Sequence, residues 1–553
     1  MAPKPSQLQS SSRVQAVTVI SILCLGTVFL ARLLSLGMPD LVDTTEGRYA
    51  GVAQLMLAKN TWITPWINFH GEIKPYLGKP PLHFWLEQCS FILFGQNNFS
   101  ARLPSFLSGI AIVATLGFGT SILLGSEAAI IAMATLATSC LLFFLSGAVV
   151  LDVTLTLGIT IALVSFLLSD RSKIARYTFF IGMALGVLVK GPLATVLVGA
   201  TIVPWVAIYR IRSGKWAAQL TALPWIRGLL LFSALVLPWY LLAELQNPGF
   251  LEYFLWNENF GRYLKSDYGD EYGNGHRQPF GAAFGMMVLG CFPWSLIVAV
   301  ALFAERKRLA TKQTLNSILE RPLIVFALAW ALSCPILLLG ARQYTGTYLL
   351  PSVPGFAFLL GVLWQQCHTT SSKLLIIVKR SSILLSIVMI ALSVGTLFFG
   401  ASIEFMIPLI IGQGFLTVRI YRASSDLHMG LLHASLVTGV LYGSTILGLD
   451  NYLSENRSTR RILTTAQSLP ESSPNSVCLF FPYKTPFSAS FYGALTSDPS
   501  IRLISTHDSD IEKAKCPYVI ARLKDKDLVK IHRDIPSIRE IRRIGRWRIF
   551  QRQ

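Results

Sequence analysis

The stretch Leu82-His83-Phe84-Trp85-Leu86-Glu87-Gln88-Cys89-Ser90-Phe91-Ile92-Leu93-Phe94 decides the topology of the chain. Around it, from Val14 to Gly448, apolar runs of about 17 to 25 residues recur, each long enough to cross a hydrocarbon layer roughly 30 Å thick. A closed barrel would show short alternating segments, so these runs read as helices. Leu82 to Phe94 is shorter than the others and carries Glu87 and Gln88, which makes it a juxtamembrane helix lying on the surface. The spans are then roughly 14–37, 100–124, 128–147, 153–169, 176–191, 193–209, 226–245, 281–304, 322–340, 348–366, 381–400, 404–418 and 428–448.

With about thirteen spans, the basic loops Arg171 to Arg176, Arg210 to Lys215, Arg306 to Lys312, Lys373 to Arg380 and Arg419 to Arg422 fall on one side, with the basic N-terminus. The excess of Lys and Arg marks that side as the cytoplasm. Counting Leu82 to Phe94 as a span would put the later basic loops outside. The first span follows Arg13 like a signal peptide, but it is too long and lacks a small-residue cleavage site, so it reads as an uncleaved anchor.

Composition agrees with a polytopic membrane protein. Of 553 residues, 52% are hydrophobic and 14% charged, and the mean hydropathy is +0.53. The net charge of +19 is spread over short loops rather than gathered on one soluble face, which speaks for topology and anionic lipid and against nucleic acid. No Walker loop, dinucleotide fingerprint or C-x-x-C pair is present. From about Asp450 the chain turns polar, with buried-strand patterns at Val477 to Phe481, Tyr518 to Ala521 and Arg546 to Phe550 and helical patterns near Arg460 to Ser468 and Asp508 to Ala514. The expected organisation is a membrane domain over 1–449, with external loops 38–99 and 247–280, and a small extracytoplasmic α/β domain over 450–553. Cys478 and Cys516 share that tail, where an extracytoplasmic location would permit a disulfide.

The polar loops on the outer side hold most of the groups able to do chemistry. Asp43-Thr44-Thr45-Glu46-Gly47-Arg48-Tyr49 follows the first span, and Lys79-Pro80-Pro81-Leu82-His83-Phe84-Trp85 comes some thirty residues later. Asp152 stands where a span begins, either as a helix N-cap or as a second reacting carboxylate beside Asp43. Lys79 and Lys190 are each followed by a turn breaker, Pro80-Pro81 and Gly191-Pro192, which holds an ammonium at head-group depth. Either each lysine snorkels, or together with Arg48, Arg262 and Arg342 they cradle a phosphate. His276, in the loop 247–280, is a candidate proton carrier or metal ligand, and Tyr344 and Tyr348 stand close to Arg342. An enzyme working outside, away from nucleotide donors, needs a lipid-carried activated group, and a basic interfacial pocket suits a polyprenyl phosphate.

In their order, Asp43-x-x-Glu46-x-Arg48-Tyr49-Ala50, Lys79-Pro80-Pro81-Leu82-x-x-Trp85, Ala101-Arg102-Leu103-Pro104-Ser105, Asp152-Val153-x-Leu155-Thr156 and Lys190-Gly191-Pro192 resemble the lipid-carrier-dependent (C-type) glycosyltransferases, which include the aminoarabinose transferase of lipid A and the protein O-mannosyltransferases. The resemblance implies an inverting transfer of a sugar, 4-amino-4-deoxy-L-arabinose in the branch that fits best, from undecaprenyl or another polyprenyl phosphate. The acceptor would be lipid A or another envelope glycan, on the periplasmic side of a bacterial inner membrane. It implies Asp43 as the principal catalytic carboxylate with Asp152 and Glu46, Arg48, Lys79, Lys190, Arg262 and Arg342 on the carrier phosphate, and Tyr49, Trp85, Tyr344 and Tyr348 lining the pocket. In that branch an acidic residue before the Lys-Pro joins the loop His on a metal. Here that residue is Gly78, so a divalent metal at His276 stays an alternative, and the residues fix no cofactor.

Two other readings stay open. One is a protein O-mannosyltransferase-like enzyme with a protein acceptor. The other is a lipid or sugar transporter, against which speak charges gathered at one face and the lack of an internal repeat.

Overall fold

The structure, a computed structural model, describes residues 25–69, 72–261, 277–304, 306, 311–341 and 343–367, scattered residues between 387 and 450, and 452–467, 477–480, 487–495, 501–504, 516–522 and 538–552. It is mostly helical. The helices that position the site are α1 Leu25–Leu34, α2 Thr45–Ala58, α3 Leu82–Phe94, α4 Asn98–Leu124, α5 Ser126–Ala137, α6 Cys140–Leu145, α7 Leu151–Leu167, α8 Lys173–Lys190, α9 Leu193–Ser213 and α10 Trp225–Gln246. They are followed by α11 Ala282–Gly290, α12 Trp294–Ala304, α13 Pro322–Leu337 and α14 Val353–Cys367.

Among the described residues, α4, α9, α10 and the continuous stretch Gly346–Gln365 are long and apolar enough to cross a membrane. α11 and α12, bent by 112° at their break, make a fifth if counted as one broken span, and α1, α5, α7 and α13 are shorter apolar helices. The segments 381–400, 404–418 and 428–448 lie largely outside the described residues. Two expected spans are reshaped. The run 128–147 breaks between α5 and α6, where the Cys140 amide leaves the helix to donate to the Phe292 carbonyl at 2.9 Å. The run 281–304 bends around Phe292-Pro293, since a proline cannot donate to the helix ladder.

The helix Leu82 to Phe94 forms as expected, but it does not merely lie on a surface. His83, Phe84, Glu87 and Gln88 are buried on its inner face while Leu86, Ile92 and Leu93 are exposed on the other. It ends at Gly95, and α4 begins at once with a capping box: the Asn97 side chain accepts from the Ser100 amide at 3.0 Å and Ser100 Oγ accepts from the Asn97 amide at 3.1 Å.

α7 and α8 approach backbone to backbone. A Cβ on Gly158 would meet Gly186 N at 2.7 Å, and one on Gly182 would meet Ala162 N at 2.6 Å. Small residues spaced as Gly182-Met183-Ala184-Leu185-Gly186 permit this crossing and bring the first turn of α7 beside the last turn of α8. α8 stops at Gly191, whose φ of +74° is accessible to glycine, and the Phe254 ring occupies the space where a Cβ would stand.

Outside the helices, β1 Trp66–Phe69 and β2 Glu72–Pro75 form an antiparallel pair. Farther along, α15 Arg460–Gln467 and α16 Phe487–Leu495 accompany a five-stranded sheet of order β4-β3-β5-β7-β6, from β3 Val477–Phe480, β4 Ile501–Ile504, β5 Tyr518–Arg522, β6 Ile538–Ile544 and β7 Trp547–Arg552. β3 is parallel to β4 and β5, whereas β7 runs antiparallel to β5 and β6. The strand patterns at Val477, Tyr518 and Arg546 correspond to β3, β5 and β7, and Cys478 is disulfide-bonded to Cys516 just before β5. The expected helix near Asp508 to Ala514 lies outside the described residues.

Candidate active site

Charged side chains collect where α2, α3, α7 and α8 meet. Glu46, in the first turn of α2, faces Arg102 in the first turns of α4. Arg102 Nε donates to Glu46 Oε1 and Nη2 to Oε2, both at 2.9 Å, and its other donors reach the carbonyls of Leu36, Pro39 and Asp40. All five guanidinium N–H groups are used. Glu46 also accepts the Val42 amide at 2.8 Å and the Val149 amide at 3.0 Å. Burial pushes its carboxyl up, but Arg102 and these two amides outweigh burial and hold it below the usual range. Glu46 was expected among the reacting carboxylates. Its four accepted bonds tie the first external loop to the start of α7.

Three residues beyond Val149, Asp152 accepts from Lys190 Nζ at 2.6 Å, with both side chains over nine-tenths buried. The Lys190 ammonium also stands 3.6 Å from the centre of the Tyr348 ring, a cation–π distance. The next residue, Gly191, packs against Phe254 and Asn259, and the same segment supplies Glu258, which is ion-paired to the buried Lys79. Lys79 also donates to the Gly78 carbonyl at 2.6 Å. Four residues on, His83 Nδ1 is 2.9 Å from Thr154 Oγ1, two residues past Asp152. Bonds and chain neighbours together thus link Glu46 through Val149, Asp152 and Lys190 to Gly191, which packs on the segment that carries Glu258, and from there to Lys79 and by His83 back to α7.

Asp43 joins at the edge of this circuit, three residues before Glu46. Its carboxylate accepts from the Ser488 amide at 2.7 Å and from Ser488 Oγ at 2.5 Å. Arg48 lies between the rings of Tyr49 and Phe487, at 5.0 and 5.8 Å, and Tyr49 in turn packs on Phe84. Trp85 points elsewhere: its indole donates to the Trp62 carbonyl at 2.6 Å and ties α3 to the loop after α2. Tyr344 is buried, with no hydrogen-bond partner for its hydroxyl among the described residues. Arg262, His276 and Arg342 lie outside the described residues.

Sequence reasoning missed several participants. His83 is fully buried, Nε2 finds no partner among the described residues, and burial depresses its imidazole to about 4 against the opposing charge of Asp152. One turn on, neither Glu87 oxygen has a partner among the described residues, and burial raises its carboxyl well above the usual range. Arg102 stood in the sequence only within the motif Ala101-Arg102-Leu103-Pro104-Ser105, with no role assigned to it. Ser488 gave no local signal, because its contact spans 445 positions.

Residues 23–254 match the family model described as dolichyl-phosphate-mannose-protein mannosyltransferase. Among curated relatives, the undecaprenyl phosphate-alpha-4-amino-4-deoxy-L-arabinose arabinosyl transferase of Shewanella sediminis (strain HAW-EB3) is 29% identical over 336 residues, covering 59% of this chain and 56% of the relative. That of Pectobacterium carotovorum subsp. carotovorum (strain PC1) is 30% identical over 335 residues, covering 56% and 55%. The chain spans about half the length of the curated relatives it matches. The crystal structure of ArnT from Cupriavidus metallidurans in the apo state superposes with a TM-score of 0.71 at 19% identity, covering 97% of this chain and 98% of that one. Its form bound to undecaprenyl phosphate gives 0.69 at 20% identity, covering 96% and 97%. The chain has the fold of ArnT, and in that fold and in the order of its motifs it resembles the lipid-carrier-dependent C-type glycosyltransferases.

Proposed function

We propose that this chain is an inverting glycosyltransferase that moves a sugar, 4-amino-4-deoxy-L-arabinose by its resemblance, from a polyprenyl phosphate to lipid A or another envelope acceptor. The observation that carries this reading is the circuit joining two buried lysine–carboxylate pairs, Lys190–Asp152 and Lys79–Glu258. A buried ion pair contributes little net stability, because its desolvation cancels its attraction. Two of them, linked through Gly191 and the segment that carries Glu258, have a better use as cations that can exchange a carboxylate for a phosphate.

In the reaction, an acceptor oxygen attacks the sugar C1 as the bond from C1 to the phosphate oxygen breaks, inverting the anomeric centre. The phosphodiester becomes a polyprenyl phosphate monoester with one more negative charge, and Lys79 and Lys190 stabilise that growing charge. Arg48, Arg262 and Arg342 are assigned to the same phosphate, with Tyr344 and Tyr348 along the pocket. A hydroxyl acceptor gives its proton to Asp43, while a phosphate acceptor needs no base and is oriented by Asp43 instead. The topology that fits has thirteen spans, with the site and the segment 450–553 facing the periplasm of a bacterial inner membrane.

The family model matched by residues 23–254 favours a second acceptor class, a protein hydroxyl. Purified protein given polyprenyl phosphate aminoarabinose separates the two by product mass. The mass of lipid A should rise by one sugar and that of a Ser/Thr peptide should not. Transfer to the peptide alone selects the second reading, and translocation of the donor without transfer refutes both.

A further inference from the structure

Residues Ser454, Arg457 and Arg460, and α16 from Phe487 to Tyr492, lie directly against the loop that carries Asp43. The Ser454 hydroxyl accepts the Asp40 amide at 3.2 Å, Arg460 pairs with Asp40 at 3.0 Å, and the Arg457 carbonyl accepts the Asp43 amide at 2.9 Å. Tyr492, on α16, accepts the Leu41 amide at 2.6 Å and donates to Asn98 Oδ1 at 2.8 Å. Gln54 donates to the Phe491 carbonyl at 3.3 Å. The fit is tight as well as polar: a Cβ on Gly47 would overlap Ser488 and come within 2.9 Å of the Phe487 carbonyl carbon.

At the centre of this surface, Asp43 caps a helix to which it does not belong. α16 begins at Phe487, and its first turn offers the Ser488 amide to Asp43 Oδ1 and the Ser488 hydroxyl to Oδ2. A carboxylate at a helix N-terminus also gains from the helix dipole. Proton counting fixes the direction of the rest. Ser488 has one hydroxyl proton, and Asp43 accepts it. Thr459 must then donate to Ser488 Oγ, through its own hydroxyl at 2.9 Å and its amide at 3.2 Å. Ser488 and Thr459 are both fully buried, so these bonds are shielded from competing water.

We infer that Ser488, backed by Thr459, is a positioning residue for Asp43, so that the reaction centre is complete only with α16 docked on α2. Resting on the transferase reading above, the inference makes the C-terminal segment a working part of the centre. Asp43 is aimed from outside the membrane helices, and loosening α16 lowers turnover without touching the lysines that hold the carrier phosphate.

Three measurements on the full chain test this. Hydrogen exchange over 487–495 should quicken in Asp43→Ala, and unchanged protection there would overturn the coupling whatever the enzyme transfers. Ser488→Ala should lose roughly tenfold to a hundredfold in kcat, the scale of one hydrogen bond to a charged group. Its donor KM should stay within about twofold, the pattern of a lost transition-state interaction. Ser488→Thr keeps the hydroxyl and should recover most of the loss. Because its methyl enters a packed site, Thr459→Ser against Thr459→Ala gives a second retained-versus-deleted pair. Full kcat in both Ser488→Ala and Thr459→Ala would overturn the inference. No sugar transfer by the wild-type protein would sink the transferase reading instead and leave the exchange result to decide the contact.

Discussion

The two halves of the site solve the same problem, a buried charge, in different ways. Arg102 spreads five donors over one carboxylate and three carbonyls, and the planar guanidinium leaves it no alternative geometry. Lys190 ends in a compact ammonium on a flexible stem, paired at 2.6 Å with Asp152 and standing over the Tyr348 ring. The first arrangement holds loop 36–46 against α4 and α7. The second can turn toward a new anion. The contrast teaches that burial alone does not mark a reacting group, and that the number and rigidity of the bonds around it separate strut from site.

The largest effect expected from breaking the strut is on stability. Arg102→Leu leaves the Glu46 carboxylate and three carbonyls without their donor and should cost about 3–5 kcal/mol. Glu46→Gln keeps one oxygen for two of the four donors but turns an NH2 toward the other two and strands the buried Arg102 charge, and should likewise cost about 3–5 kcal/mol. Thermal unfolding in detergent measures both, and a melting temperature unchanged in Arg102→Leu would erase the distinction between the halves.

A smaller effect sharpens the comparison through pH. Burial depresses the His83 imidazole from 6.5 to about 4, so in that interval the unfolded chain binds more protons than the folded one, and stability falls as the pH drops from 6.5 toward 4. Glu46, held below its ordinary 4.5, adds stability that is present above that value and is lost as the pH falls further. His83→Phe should flatten the upper window and leave the lower one in place. A melting-temperature profile from pH 7 to pH 4 that is identical in variant and wild type would remove His83 from the account.

Much of the local structure was legible in the sequence. Lys190 before Gly191-Pro192 announced a helix ending on an ammonium, and Glu87 within a short apolar run spoke against a membrane span. Glu87 proves to face inward beneath α3, which periodicity alone did not reveal. The break after α5 was not legible, because it depends on a carbonyl from Phe292, more than a hundred positions away. The bend between α11 and α12 falls at Pro293, a helix breaker inside the run 281–304 that reads as one span by hydropathy. The partners of Glu46 and Asp43 were out of reach for the same reason as the break: both are fixed by long-range hydrogen bonds, and local pattern carries no trace of them.

The central claim is that the lysines can trade a carboxylate for the carrier phosphate. Binding of polyprenyl phosphate to the purified protein, set beside sugar transfer, tests it most directly. Lys190→Ala should weaken binding at least tenfold, or about 1.4 kcal/mol. Asp152→Asn, which releases the same ammonium, should bind the carrier as tightly as wild type or more so, yet transfer poorly. Equal affinities in wild type, Lys190→Ala and Asp152→Asn would contradict the account.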